Sequence, residues 1–141
     1  MTTAIDPIAG IRAFLLADTS VDTITAGRVF GGELPRTENV NMPRTCIVLA
    51  PAGGGAFGRA FESYGDVRVD VICYGATKQE AWSVLIAARW AFKQMRRSVQ
   101  NTVLLHWARE SAGGTLGEDP ETQWPTAVCS FQVLAAETAA T

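Results

Sequence analysis

Residue types that could do chemistry are few in this chain, and their spacing is poor for it. Gly53-Gly-Gly55-Ala-Phe-Gly58 matches G-x-G-x-x-G after an apolar stretch, the setting in which such a loop hands a pyrophosphate to a helix N-terminus. That chemistry needs a helix after the last glycine. Arg59 to Val71 instead carries strand alternation with Gly65 inside it, so the segment reads as a flexible hairpin loop. His106, the single histidine, lies in a strand pattern beside Trp107. As a general base it needs a nucleophile and an orienting carboxylate, and the chain has no G-x-S-x-G elbow and no cysteine in a recognisable catalytic context. It reads as structural. Cys46, Cys73 and Cys129 are far apart in apolar, strand-like stretches and read as reduced core residues rather than disulfide or metal partners. One histidine and dispersed cysteines give no zinc spacing, and Glu118-Asp-Pro-Glu121 lacks the EF-hand pattern, leaving a solvated acidic turn. No catalytic, cofactor-binding or metal-ligating residue is assigned, and no cofactor is expected.

The elements that position these groups are clearer. Asp6-Pro7 is a helix start, with Asp as N-cap and Pro where its missing N–H costs nothing, and Ile8, Ile11, Phe14 and Leu15 place a short amphipathic helix up to about Ala17. Gly27 to Gly31 reads as a short strand and Gly31 to Pro43 as a loop. Thr45 to Ala50 is apolar without a break, which predicts a central strand covered on both faces. Val67, Val69, Val71 and Cys73 alternate with Arg68, Asp70, Ile72 and Tyr74, the clearest strand in the chain. Thr77 and Glu80 then form a capping box for a long helix from Lys78 to about Arg97. Lys93, Arg96 and Arg97 suit the negative end of its dipole. Thr102 to Arg109 and Thr126 to Ala135 read as a strand pair joined by a long polar loop, Gly113 to Pro125, with residues 136–141 frayed. The expected fold is a single α+β domain over residues 1–141, a mostly antiparallel sheet with two helices packed on one face in the order α-β-β-β-α-β-β.

The long helix carries two apolar stripes when its residues are placed ~100° apart. Ala81, Leu85, Ala88, Phe92 and Met95 form the stripe assigned to the sheet. Trp82, Ile86 and Trp90 form a second, with Arg89 and Lys93 beside it. A wide face buried within the subunit would account for them. So would a subunit interface, where tryptophan and arginine are enriched. In the glycine-rich loop Phe57, Arg59 and Phe61 are candidate contacts with a partner.

Composition bounds the function further. The chain has 141 residues, which suits one domain. Charged residues are 18% against ~25% in a typical domain, and hydrophobic residues are 48%. Such a surface is short of charge for a freely solvated monomer. The net charge of −2 argues against a dedicated nucleic-acid binder. The apolar run Val84 to Ala88 is far short of a membrane span of ~20 residues. The first residues show no basic and apolar regions of a secretory signal, so use in a cytoplasm is expected.

Gly27-Arg-Val-Phe30, Leu34-Pro35, Met42-Pro43-Arg44, the strand Ile47-Val-Leu49, the glycine-rich loop and Arg68-Val-Asp-Val-Ile-Cys-Tyr-Gly75-Ala-Thr-Lys-Gln-Glu-Ala81 follow one another in a familiar order. Together they resemble the tail terminator (tail completion) proteins of long-tailed phages and related prophage elements, over roughly residues 5 to 135. The motifs are short and structural. The resemblance implies a subunit, not an enzyme, that assembles in the host cytoplasm into a hexameric ring at the head-proximal end of the virion tail. Such a ring caps the tail tube, stops addition of the major tail tube protein and offers a surface to head–tail connector proteins. DNA would pass through its lumen without specific binding, and no membrane is involved. Two other readings stay open: another head–tail connector or stopper component, and a small ligand-binding or enzyme domain, which a pocket joining His106 to a carboxylate would signal.

Overall fold

Asp6 caps the first helix as its sequence demands, its carboxylate accepting from the Ala9 N–H at 3.2 Å with Pro7 at the first helical position. The computed structural model describes residues 6–54, 64–101 and 103–137. Its elements in chain order are α1 (Pro7–Ala17), α2 (Thr19–Thr25), β1 (Val29–Gly31), α3 (Arg36–Asn39), β2 (Cys46–Gly54), β3 (Tyr64–Tyr74), α4 (Lys78–Lys93), β4 (Ser98–Gln100), β5 (Val103–Glu118) and β6 (Pro125–Glu137). The strands form one sheet in the order β1-β2-β3-β6-β5-β4. β1 runs parallel to β2 and every other pair is antiparallel.

The α+β class and the mostly antiparallel sheet agree with the sequence reading, but two details differ. Four helices are described rather than two, and six strands rather than five. The additional helix α2 is built of Thr, Ser and Val, weak helix formers, and is fixed by its surroundings. Asp18 accepts from the Val21 N–H at 3.0 Å, Thr25 Oγ1 donates to the Val21 carbonyl at 2.7 Å, and Thr45 Oγ1 donates to the Ile24 carbonyl at 2.8 Å. Arg28 Nε then donates to the Thr45 carbonyl at 2.8 Å, joining this helix to the start of β2. α3 interrupts the expected loop Gly31–Pro43, and its Glu38 carboxylate is paired with Arg44.

At the far end, α4 stops at Lys93 rather than near Arg97, because the chain turns at Gln94 to place β4 on the sheet edge. The expected loop Gly113–Pro125 contracts to a tight turn, as β5 continues to Glu118. Ala136 is not frayed: it is buried and sits between Tyr64 of β3 and Leu104 of β5.

The main core lies between one sheet face and α1, α2 and α4. Phe92 of α4 stacks on Phe131 of β6 with ring centroids 4.3 Å apart, and Phe14 of α1 meets Phe92 at 6.0 Å. Ile11, Leu15, Ile47, Leu49, Val69, Val71 and Leu85 complete its centre, all fully buried. On the opposite face, among the described residues, Leu34, Met42, Phe30 and Trp124 pack over Cys46, Val48 and Tyr74 near β1–β3. This second layer is why the strand at 45–50 reads as apolar on both faces. All three cysteines are buried thiols.

Candidate assembly interface

The sequence's cofactor motif does not meet a cofactor-binding topology. β2 runs through Gly54 and β3 returns antiparallel to it, with Gly54 opposite Val67. A dinucleotide fold needs a helix and then a parallel strand. Phe57, Arg59 and Phe61, the candidate loop contacts, lie outside the described residues. Among the described residues no group of three or more His, Cys, Asp or Glu is placed to hold a metal ion, and no helix is long and apolar enough to cross a membrane.

α4 carries the surface of interest. Its start is set by Thr77, whose Oγ1 accepts from the Glu80 N–H at 3.2 Å, the half of the capping box that forms. From there the 3.6-residue period buries Ala81, Val84, Leu85, Ala88, Ala91 and Phe92 against the sheet. The second stripe divides. Trp82 is half-buried against the core, its ring over Gly114, where an added Cβ would come within 3.1 Å of it. Ile86 is 46% exposed and Trp90 59% exposed. Arg89 is engaged within the subunit: its Nε stands 2.9 Å and its Nη2 3.2 Å from the two carboxylate oxygens of Glu110 on β5. Only the Nη2–Oε2 contact is a hydrogen bond; Oε1 is buried with no hydrogen-bond partner among the described residues, so one charge-assisted hydrogen bond and an ion pair tie the helix to the strand. Lys93 is exposed at the end of the helix. Of the five α4 candidates, then, Ile86, Trp90 and Lys93 are open to a partner, and Trp82 and Arg89 already have partners within the subunit.

Among the described residues four further exposed apolar side chains escaped the sequence reading: Val40 just after α3, Val99 on β4, and Trp107 and Leu116 on β5. β5 departs from its register with β6 between Leu105 and Trp107, between Glu110 and Ala112, and between Ala112 and Thr115. Each added residue inverts which face the following side chains occupy. Thus Val103 and Leu105 face the core, whereas Trp107 lies opposite Leu134 on the outer face, with Arg109 stacked over its ring at 5.4 Å. Leu116 returns to the helix side, opposite the buried Ala127. His106 falls within the first irregularity, and among the described residues its side chain makes neither a hydrogen bond nor an ion pair with a carboxylate.

The far end of α4 meets the β5–β6 turn. Lys78 Nζ is 3.9 Å from Glu118, an exposed pair. In the turn, the Asp119 carboxylate accepts from the N–H groups of Glu121 at 2.9 Å and Thr122 at 3.1 Å. The Thr122 N–H leads in holding that carboxyl below its ordinary range, and the Tyr74 hydroxyl adds to the effect. Burial, then the nearby Asp119 charge, pushes the Tyr74 hydroxyl up to about 12.

No family model and no curated protein matches the sequence. Among solved structures, the chain is similar to one described as "Virion of native gene transfer agent (GTA) particle", with a TM-score of 0.58 and 14% identity, covering 91% of this chain and 92% of that one. At that identity the likeness is one of fold, and it extends over nearly the whole of both chains.

Proposed function

We propose that the chain is a structural virion protein of a phage-type tail, a terminator subunit that closes the tail tube as a ring of six. The observation that carries this reading is the fold likeness to a gene transfer agent virion chain over 91% of the sequence. The ordered motifs from Gly27 to Ala81 support the more specific tail-terminator assignment. The exposed Ile86 and Trp90 support assembly, because burying one tryptophan removes ~150–250 Å² of surface from water.

In this role the ring acts by occupancy. A tube polymer stops growing when its last surface is covered by a ring that matches it below and presents a different surface above, so length control needs shape and binding without turnover. The major tail tube protein binds on one side and head–tail connector proteins on the other, at the head-proximal end of the tail. DNA passes through the lumen unheld, in keeping with a net charge of −2.

Electron microscopy of tails carrying this protein tests the reading. A sixfold ring at the head-proximal end is expected, and loss of the gene should give over-long or uncapped tubes that fail to join heads. A fivefold or twelvefold ring at that position, or normal tails without the gene, would refute it.

A further inference from the structure

Two surfaces of opposite charge lie at the two ends of α4, each beside exposed apolar side chains. At the C-terminal end Lys93, Arg96 and Arg97 are exposed next to Trp90 and Ile86, and Lys93, Gln94, Met95 and Arg96 line an open depression. Among the described residues none of these three cations has a carboxylate within ion-pair distance. At the N-terminal end the β5–β6 turn exposes Glu118 and Glu121, with Leu116 47% exposed beside them. The backbone N–H groups that Asp119 binds hold this turn in shape, and Lys78 offsets Glu118 only weakly across a solvated 3.9 Å. Sixteen residues of helix separate the two ends by about 24 Å, so the surfaces cannot meet within one subunit.

We infer that these surfaces bind one another between copies of this chain, head to tail. The acidic turn and Leu116 of one copy seat against Trp90 and the Lys93, Arg96 and Arg97 cations of the next. Each surface supplies what the other lacks: carboxylates for unpaired cations, and an apolar side chain for an exposed aromatic one. A contact between two different patches leaves one patch of each kind free at every step, so it propagates until it closes on itself. A nucleic acid would satisfy the cations but would leave the apolar stripe uncovered, and the chain's net charge is negative. The inference rests on the ring reading only for closure at six; the contact itself rests on the two patches.

Sedimentation velocity of the full chain tests it. The wild-type chain should self-associate below about 1 mM, and more weakly, roughly tenfold, when salt is raised from about 50 mM to about 500 mM. Glu118→Lys with Glu121→Lys, or Lys93→Glu with Arg96→Glu and Arg97→Glu, should each weaken association roughly tenfold or more. An equimolar mixture of the two variants should restore it, because each reversed patch then faces an opposite charge on its neighbour. Self-association that is absent at about 1 mM, indifferent to salt, or unchanged by either reversal would overturn the inference. So would a mixture no better than its parts while both variants keep the near-ultraviolet circular dichroism of the wild type. Should the variants not fold, the salt series on the wild type decides alone. A monomeric wild type that retards a short DNA duplex, with retardation lost on reversing the cations, would assign that end of the helix to nucleic acid instead. A chain that associates in this way on a tail lacking a sixfold ring refutes the proposed function and leaves the contact standing.

Discussion

Cys46, Cys73 and Cys129 show how burial alone sets chemical character. Burial pushes the Cys46 and Cys129 thiols up to about 12 and Cys73 well above its ordinary value. Thiolate is the reactive form, so all three should be inert to a disulfide reagent in the native state and react only on unfolding. Tyr74 shifts in the same direction, mainly through burial. These acids keep their protons longer when folded, so the unfolded chain releases protons first as pH rises. Stability is therefore full below the ordinary thiol value of 9.0 and declines as pH climbs toward about 12. Urea midpoints at about pH 8 and about pH 10.5 should fall on the alkaline side, and a level midpoint would contradict the assignment. Glu38 works in the opposite sense. Its hydrogen bonds from Arg44 hold the carboxyl below 4.5, so its contribution is present above that value and lost as acid protonates it in the folded chain. Glu38→Gln should flatten the acid limb of the same midpoint series.

Individual elements were legible where local chemistry and packing agree. The Thr77 cap and the spacing Ala81, Leu85, Ala88, Phe92 placed α4 and its buried side correctly, as alternation did for β3. β5 could not be read in this way. Three register shifts within 16 residues break the period-2 rule, so no alternation assigns Trp107 to the outer face or Leu116 to the helix side. α2 escaped for a different reason. Its weak helix formers are held by Thr45, 21 positions after the Ile24 carbonyl it binds and itself fixed by Arg28, a contact which a local window does not contain. Of the candidate interface, the stripe was legible and its division was not: Trp82 is covered because Gly114, on the far side of two of those shifts, lets the sheet approach it. The entry to α4 gives a sharper test of this element-level packing. A Cβ on Gly75 would lie 2.5 Å from the Ala81 nitrogen and 2.8 Å from the Glu80 carbonyl carbon, both helix backbone that cannot swing aside. Gly75→Ala should cost roughly 1–3 kcal/mol in urea denaturation. Gly113→Ala, with nothing within 4 Å of the added atom, should stay within about 0.5 kcal/mol.

At the scale of the whole molecule, the question is which apolar surface the subunit uses for itself and which it leaves for assembly. Trp82 and Trp90 lie on one stripe of one helix, eight residues apart, and separate the two uses. Trp82 packs against the core, so Trp82→Ala removes contacts the isolated subunit needs and should destabilise it by roughly 1–3 kcal/mol, below the ~3–5 typical of a fully buried tryptophan. Trp90 is 59% exposed, and Trp90→Glu should change subunit stability by no more than about 0.5 kcal/mol. In the proposed ring the order reverses. A carboxylate at 90 would sit desolvated where an indole had packed, so assembly should fail while the monomer stays folded. Thermal denaturation of each variant, set against ring formation on tails, measures both quantities. If Trp90→Glu unfolds the subunit, the whole stripe belongs to the core of one chain. If it folds and still assembles, the interface lies elsewhere on the molecule, and the chain's low charge must be explained by the uncovered sheet face around Trp107 and Arg109 instead.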